Sequence, residues 1–445
     1  MNFAPTSSLP AGEFGWRSSA ARERIDVIPL VLLFGPIGIY LVSLFVVRPV
    51  PVSYLSPVLL IFTPLLVRAS RRQIVGMIGR LRLEFFLLAV MAVLSVLSIL
   101  NSIEPVRTLR IIFPSLLPFA LFGSLVVIAT RSRVALLMIP RVLLVAAFFA
   151  CVVPHFLSFY LPGLREHVMW LLYRYRGFFE NPLQAAIALG AITPVLVGEC
   201  VLARRWWKKL LLGVGALLFL YTIFRTGSKF AMFLSFAGCL FTYVILKIRA
   251  QSFLMTGIMA MLFVFGGFVV SSHGLAIAEA LDPEIGAKLR SIAEGGVAGY
   301  QSIESRKLLW LEAIEQGKAH WIIGSGAGEE VLGLTHAHNL VLDYFKGIGV
   351  FGALAVLVLC LTILFRMLTS TLYVLNGHGD DDDKRIWVLY VGAVVYMLAN
   401  QLSDSFGPTT IGFLWVGYLC AVLGERRVTA RRRWVPVAAT RPIKF

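Results

Sequence analysis

Thr335–Gly352 reads THAHNLVLDYFKGIGVFG. A long polar segment ends here and a hydrophobic run begins, so His338 stands where water gives way to an apolar phase. Histidine is the side chain whose ordinary pKa lies near neutral, and at such a boundary it suits proton transfer at working pH. The run that follows, 346–366, has about the length a helix needs to cross a bilayer core. That one junction sets the reading of the rest: apolar spans carrying polar chemistry at their ends.

Composition agrees. The chain has 445 residues, is 58% hydrophobic and 15% charged, and has a mean hydropathy of +0.82. A water-soluble fold of this size cannot hide so much apolar surface. The expected architecture is an all-α, polytopic membrane protein of about 12 spans. They fall at 27–47, 50–67, 84–101, 108–130, 138–158, 183–203, 210–224, 230–246, 252–271, 346–366, 386–403 and 409–424. The segments are then a cytoplasmic tail (1–25), nine helices within 26–271, a large outer loop (272–345), three helices within 346–424 and a basic tail (425–445). The first 25 residues are polar, with Arg17, Arg22 and Arg24 and no apolar core, so the first span is expected to serve as an uncleaved signal.

Charge placement tests the layout. With the N-terminus in the cytoplasm, the inner segments hold about two thirds of the 41 Lys and Arg, as the positive-inside rule requires. The net charge of +17 is thereby explained by topology and contact with anionic membrane lipids, and no nucleic-acid partner is expected. Cys151, Cys200, Cys239, Cys360 and Cys420 are scattered singly, which suits buried small side chains better than a metal site or a disulfide framework. Two outer loops are long, about 159–182 and 272–345. The second carries amphipathic stretches at Leu275–Leu289 and Ser305–Gln316, expected to lie as short helices on the membrane surface.

His338-Asn339 is followed by nine residues and then Gly349-x-x-Gly352. This resembles the signature of the bacterial O-antigen ligase family, His-[Asn/Ser/Gln]-x9-Gly-x-x-[Gly/Thr/Tyr]. Arg306-x-x-x-Trp310-x-x-Ala313, followed by Gly324-x-Gly326, is similar to the segment preceding the histidine in that family. Arg176-Gly177-Phe178-Phe179-x-Asn181-Pro182 resembles its R-x-x-G-x-F-x-N-P stretch with a compressed spacing. Thr226-Gly227-Ser228-Lys229 resembles its T-x-S-R turn, with Lys in place of Arg. The likeness covers residues 170–355. It implies a GT-C-like membrane glycosyltransferase of the O-antigen ligase and polymerase superfamily, with its active site facing the periplasm. The implied donor is an undecaprenyl-diphosphate-linked glycan, and the acceptor is lipid A-core or a second lipid-linked glycan.

The residues themselves suit that chemistry. Arg174, Arg176, Arg225, Lys229 and Arg306 are basic groups on the outer side, against the topological bias, and guanidinium forks match phosphate oxygens. His338 is the expected general base, with no metal or other cofactor required. Plainer readings stand beside these. Arg306 pairs with Glu304 or Glu312, Arg176 snorkels to headgroups, Arg225 and Lys229 anchor a turn, and Gly347, Gly349 and Gly352 serve close packing. His336-x-His338 with Asp343 is a weak metal pattern, the 324–328 GSGAG a turn, and Glu294, Glu329 and Glu330 solvated surface. A transporter is the rival from another class, but transporters carry carboxylates near mid-membrane, and these spans hold almost none.

Overall fold

A computed structural model of the chain describes residues 75–76, 78–106, 108–109, 125–126, 129, 133–170, 174–177, 182–247, 290, 301–326, 329–332, 337–376, 380–401 and 417–425. The first main element, α1 (Arg82–Leu97), is continued by a 3-10 turn, Ser98–Asn101. Next, α2 (Arg133–Ala147) runs through a π-turn (Phe148–Val152) into α3 (Val153–Leu157), followed by α4 (Pro162–Val168). Strands β1 (Met169–Trp170) and β2 (Arg174–Tyr175) precede α5 (Pro182–Leu202), α6 (Trp206–Arg225) and α7 (Lys229–Lys247). The last are α8 (Gln301–Ala319), α9 (Leu340–Leu375) and α10 (Asp381–Asn400).

Among the described residues, five helices are long and apolar enough to cross a membrane: Arg82–Asn101, Pro182–Leu202, Trp206–Arg225, Phe230–Lys247 and Leu340–Leu375. The chain is a multi-pass membrane protein. These five follow the expected spans 84–101, 183–203, 210–224, 230–246 and 346–366, while α2 with α3, and α10, trace 138–158 and 386–403. The spans 27–47, 50–67 and 252–271, most of 108–130, residues 409–416, the stretch Leu275–Leu289 and both chain ends lie outside the described residues.

The all-α expectation stands among the described residues, with one short ladder added. Within the 159–182 loop, β1 and β2 pair antiparallel, Met169 opposite Tyr175 and Trp170 opposite Arg174. The ladder is pinned from below: Tyr175 is fully buried and its hydroxyl donates to the Cys151 carbonyl. The acidic run Asp380–Asp383 opens α10. Asp380 caps α10, its carboxylate accepting from the Asp382 and Asp383 N–H groups, and Asp383 returns a bond to the Asp380 N–H. Carboxylates suit the positive end of a helix dipole.

At the centre lies α5, which is apolar around its whole circumference, as a helix enclosed by others must be. It packs against α6, α7 and α10, burying Ala185, Ala186, Ile187, Ala188 and Leu189. Small residues set the spacing. A Cβ on Gly392 of α10 would lie 2.6 Å from the Ala191 carbonyl oxygen, and one on Gly238 of α7 would lie 2.6 Å from Val395. Close backbone approach replaces the hydrophobic drive that lipid does not supply. In turn α9 packs against α1, α8 and α10.

Polar ties fasten the bundle at the end where α1 begins. Arg366 of α9 donates to the Glu84 carboxylate at 2.7 Å and to the Arg80 carbonyl at 2.6 Å, and Tyr418 also donates to Glu84 at 2.7 Å. Nearby, Arg141 of α2 and Arg385 of α10 both bond Glu199 of α5, at 3.2 Å and 3.1 Å.

Gly392→Ala is expected to force α5 and α10 apart, because the obstructing atom is backbone and cannot swing aside. The overpacking cost is about 1–3 kcal/mol, read as a lowered thermal midpoint of the detergent-purified protein. Gly163→Ala, where a Cβ meets nothing within 4 Å, is the control. An undisturbed midpoint for Gly392→Ala rules out the close approach.

Candidate active site

The site is built where α8 meets the mouth of α9. One face of α8 carries Arg306, Leu309, Trp310, Ala313 and Gly317, at i, i+3, i+4, i+7 and i+11. Leu309 and Ala313 are buried with Val331 and Ala337, and Trp310 and Leu342 pack on that cluster. Gly317 is needed at this contact, since a Cβ would lie 2.4 Å from the Phe345 ring. Half-buried Arg306 therefore sits one turn from the contact on the face turned toward α9. The amphipathic stretch expected over Ser305–Gln316 is this helix, longer at both ends.

What fixes α8 there is a break in α9. Ile348 (φ −134, ψ 17) and Gly349 (φ 80, ψ −175) leave helical geometry. The break frees backbone groups that an apolar surrounding cannot leave unpaired. The segment 321–326 answers them. Ser325 N–H donates to the Lys346 carbonyl at 2.9 Å, Gly326 N–H donates to the Gly347 carbonyl at 3.1 Å, and Val350 N–H donates to the Trp321 carbonyl at 2.8 Å. A Cβ on Gly349 would lie 2.2 Å from the Ile322 carbonyl oxygen, and its φ and ψ belong to glycine alone. A Cβ on Gly352 would lie 2.2 Å from the Ile348 side chain. Gly349 thus permits the break at which the 321–326 segment docks, and Gly352 leaves room for the Ile348 side chain. In the GSGAG stretch Gly324 and Gly326 are both at positive φ, while Ala327 and Gly328 lie outside the described residues.

The same loop is clamped on its other side. Glu329 accepts through Oε1 from Ser102 Oγ at 2.8 Å, Ile103 N–H at 2.6 Å and Glu104 N–H at 3.1 Å. Asn101 donates to the Gly324 carbonyl at 3.1 Å. Lys346, 1% exposed, donates to the Glu329 carbonyl at 2.6 Å. Sequence reading took Glu329 for solvated surface and passed over Lys346, although a lysine inside an apolar run is a flag in itself. Asn101 and Ser102 carried no signal at all.

His338 sits at the head of this assembly, half-buried, with φ 53. A left-handed backbone costs a residue with a Cβ about 1–2 kcal/mol, so neighbouring bonds must hold it. Asn339 is the N-cap of α9, its Oδ1 accepting from Leu342 N–H at 3.2 Å. On the other side Ala337 N–H donates to Asp343 Oδ1 at 2.7 Å. Asn339 thereby has a physical role in the motif. His336 lies outside the described residues, and among the described residues no three His, Cys, Asp or Glu side chains gather as a metal site.

The remaining predicted residues form a second unit. Arg176 follows β2, its N–H bonded to the Val168 carbonyl and its Nε to the His167 carbonyl at 3.1 Å. Arg225 ends α6, and Gly227 at φ 71 turns the chain into α7 through the Thr226–Ser228 turn, where Ser228 N–H bonds Thr226 Oγ1. The two parts meet at an aromatic cluster: His155 of α3 lies 4.7 Å from the Tyr175 ring and 5.5 Å from the Tyr221 ring, one turn before Arg225. Burial pushes the Tyr175 phenol well above its ordinary pKa, so it stays a neutral donor. The Arg174 and Lys229 side chains lie outside the described residues. Both units rest on one core, which takes in Ile223 beside Arg225 and Leu340 beside His338.

Residues 214–357, about a third of the chain, match the family model described as O-antigen ligase. The matched segment holds Arg225, Lys229, Arg306, Trp310, His338, Gly349 and Gly352, and begins after Arg174 and Arg176. It supports the O-antigen ligase/polymerase superfamily and, with the apolar helices, a membrane enzyme of that type. No curated protein matches the chain.

Gly349→Ala is expected to release the 321–326 segment, since the backbone strain alone is about 1–3 kcal/mol. Limited proteolysis should then cut that segment faster than in wild type. Glu329→Ala removes the acceptor of three bonds, each about 0.5–1.5 kcal/mol, and is expected to lower the thermal midpoint. Unchanged cleavage in the first variant, or an unchanged midpoint in the second, contradicts the docking described.

Proposed function

With the O-antigen ligase-type match as premise, we propose that the protein is a membrane glycosyltransferase of the bacterial inner membrane. It moves a glycan from an undecaprenyl-diphosphate carrier to an acceptor hydroxyl on the periplasmic side. The reading rests on one observation above others: His338 is held in a left-handed conformation at the mouth of α9 by bonds on both sides. Strain of this kind is kept where a side chain must be presented in one direction.

In the proposed step His338 accepts the proton of the acceptor hydroxyl as the oxygen attacks the anomeric carbon. The new C–O bond forms while the bond to phosphate breaks, and undecaprenyl diphosphate leaves with the electron pair. Direct displacement inverts the anomeric centre. Negative charge grows on the leaving diphosphate, and guanidinium groups aimed at it stabilise the transition state. Arg306, Arg176 and Arg225 are assigned that role, with Arg174 and Lys229 beside them. Because these side chains supply the positive charge, the step requires no metal.

The acceptor favoured is lipid A-core, making the enzyme a ligase, on the strength of the nine-residue spacing before Gly349-x-x-Gly352. A polymerase, adding repeat units to a second lipid-linked glycan, is favoured by one feature, Lys229 in place of the ligase arginine.

His338→Ala is expected to cut transfer by about 10²–10⁴-fold while the protein remains folded and inserted. Purified protein with a lipid-diphosphate glycan, offered lipid A-core or a second carrier, gives products that a gel sizes. A single shift on lipid A-core marks a ligase and a ladder on the carrier a polymerase. Full transfer by the His338→Ala protein would falsify the assignment of the base.

A further inference from the structure

We propose that Asp343 is the positioning residue for His338, acting through the Ala337 N–H rather than by touching substrate. The inference rests on the reading of His338 as the base. Asp343 lies in the first turn of α9, 8% exposed, and its Oδ1 takes the Ala337 N–H at 2.7 Å. Its own N–H donates to the Asn339 carbonyl at 2.9 Å, while Leu342 N–H donates to the Asn339 side chain. The three bonds interlock. The residue before His338 is tied forward to Asp343, and the residue after it is tied into the helix by its side chain and its carbonyl. His338 is left between two fixed points with one backbone conformation available, and it is the unfavourable one.

Each tie has a physical reason to hold. A carboxyl group in the first helical turn is well placed against the helix dipole, and Asp343 Oδ1 accepts the Ala337 N–H there. Its partner is a backbone N–H that precedes the helix and has no place in the helical ladder. Ala337 is fully buried in the cluster with Leu309 and Ala313, so the point of attachment is itself packed against α8. Through this chain the face of α8 that carries Arg306 and the backbone that carries His338 share one anchor. Without the Asp343 bond, the strain at His338 relaxes toward ordinary backbone conformations and the imidazole swings away from its direction.

The effect expected is geometric. A shift of about 1 Å in a reacting group costs on the order of a hundredfold in rate, so Asp343→Ala is expected to lower kcat about that much with KM for donor and acceptor little changed. Asp343→Asn keeps an oxygen acceptor in the same place and is expected to restore most of kcat. Purified full-length protein, assayed with a lipid-diphosphate glycan and both acceptors beside wild type and His338→Ala, provides the readout. Should Asp343→Ala not insert, Asp343→Leu fills the same buried volume and carries the same expectation. A truncated variant with wild-type kcat, while His338→Ala is dead, overturns this inference and leaves the base assignment standing. Loss in Asp343→Asn equal to that in Asp343→Ala also overturns it, since charge and not the acceptor would then be at work. Activity in His338→Ala removes the base assignment first, and this inference with it.

Discussion

The break in α9 is the constraint on which the rest depends. An apolar helix cannot leave carbonyl and N–H groups unpaired away from water, so a helix that breaks must be met by other backbone. Here Ser325, Gly326 and Trp321 meet it. Once that short segment is fixed, the end of α8 is fixed, and its buried face comes to lie on Ala337 and Leu342. Once Ala337 is fixed, so is the conformation of His338. The order of causes runs from a glycine that permits the break, through the hydrogen bonds that satisfy it, to the direction of one imidazole.

The polar ties follow the same economy. Helices α1 and α9 are antiparallel: the start of α1 is tied to Arg366, late in α9, and its end at Asn101 is tied to the loop that covers the break. Between the two ends the contacts are apolar. Arg80, Glu84, Arg366 and Tyr418 gather at one end, with Glu199, Arg141 and Arg385 near them. Asn101, Ser102, Glu329 and Lys346 gather at the other. His338 lies at the end of α9 opposite the Arg366 ties. A removed partner at either end would strand a buried charge, which is more costly than losing a surface pair.

Hydropathy made the helices legible, because lipid imposes length and apolarity on each one separately. For α5, α6 and α7 the expected limits fall within a few residues of those observed. Less legible was anything depending on where the chain returns. Glu329 reads as surface until Ser102, more than two hundred residues earlier, is seen to donate to it. The tenth expected span began at Lys346, whereas α9 starts at Leu340. A carboxylate such as Asp343 belongs to the helix N-terminus, within the first turn that the hydropathy of the run leaves out. The β1–β2 ladder is two residues long on each strand, too short for any alternation to show. In the motif, His338 and Arg306 were legible as chemistry because a histidine and an arginine at a membrane boundary need a reason. The glycines were ambiguous because packing and a break make the same demand, no Cβ.

The division of the site into two units bears on the proposed displacement. Attack at an anomeric carbon with inversion needs the base and the leaving group on opposite faces of the sugar. A single cluster holding histidine and every cation together would serve that geometry poorly. The histidine stands just before the N-cap of α9, and Arg306 belongs to α8, which packs against α9. Arg176 and Arg225 belong to a separate construction of hairpin, aromatic cluster and turn, joined to the first through the α5-centred core. A rigid core between them sets their separation, as two hinged loops would not. On the proposed chemistry Arg176 and Arg225 meet the departing diphosphate from the second unit, and Arg306 meets it from α8.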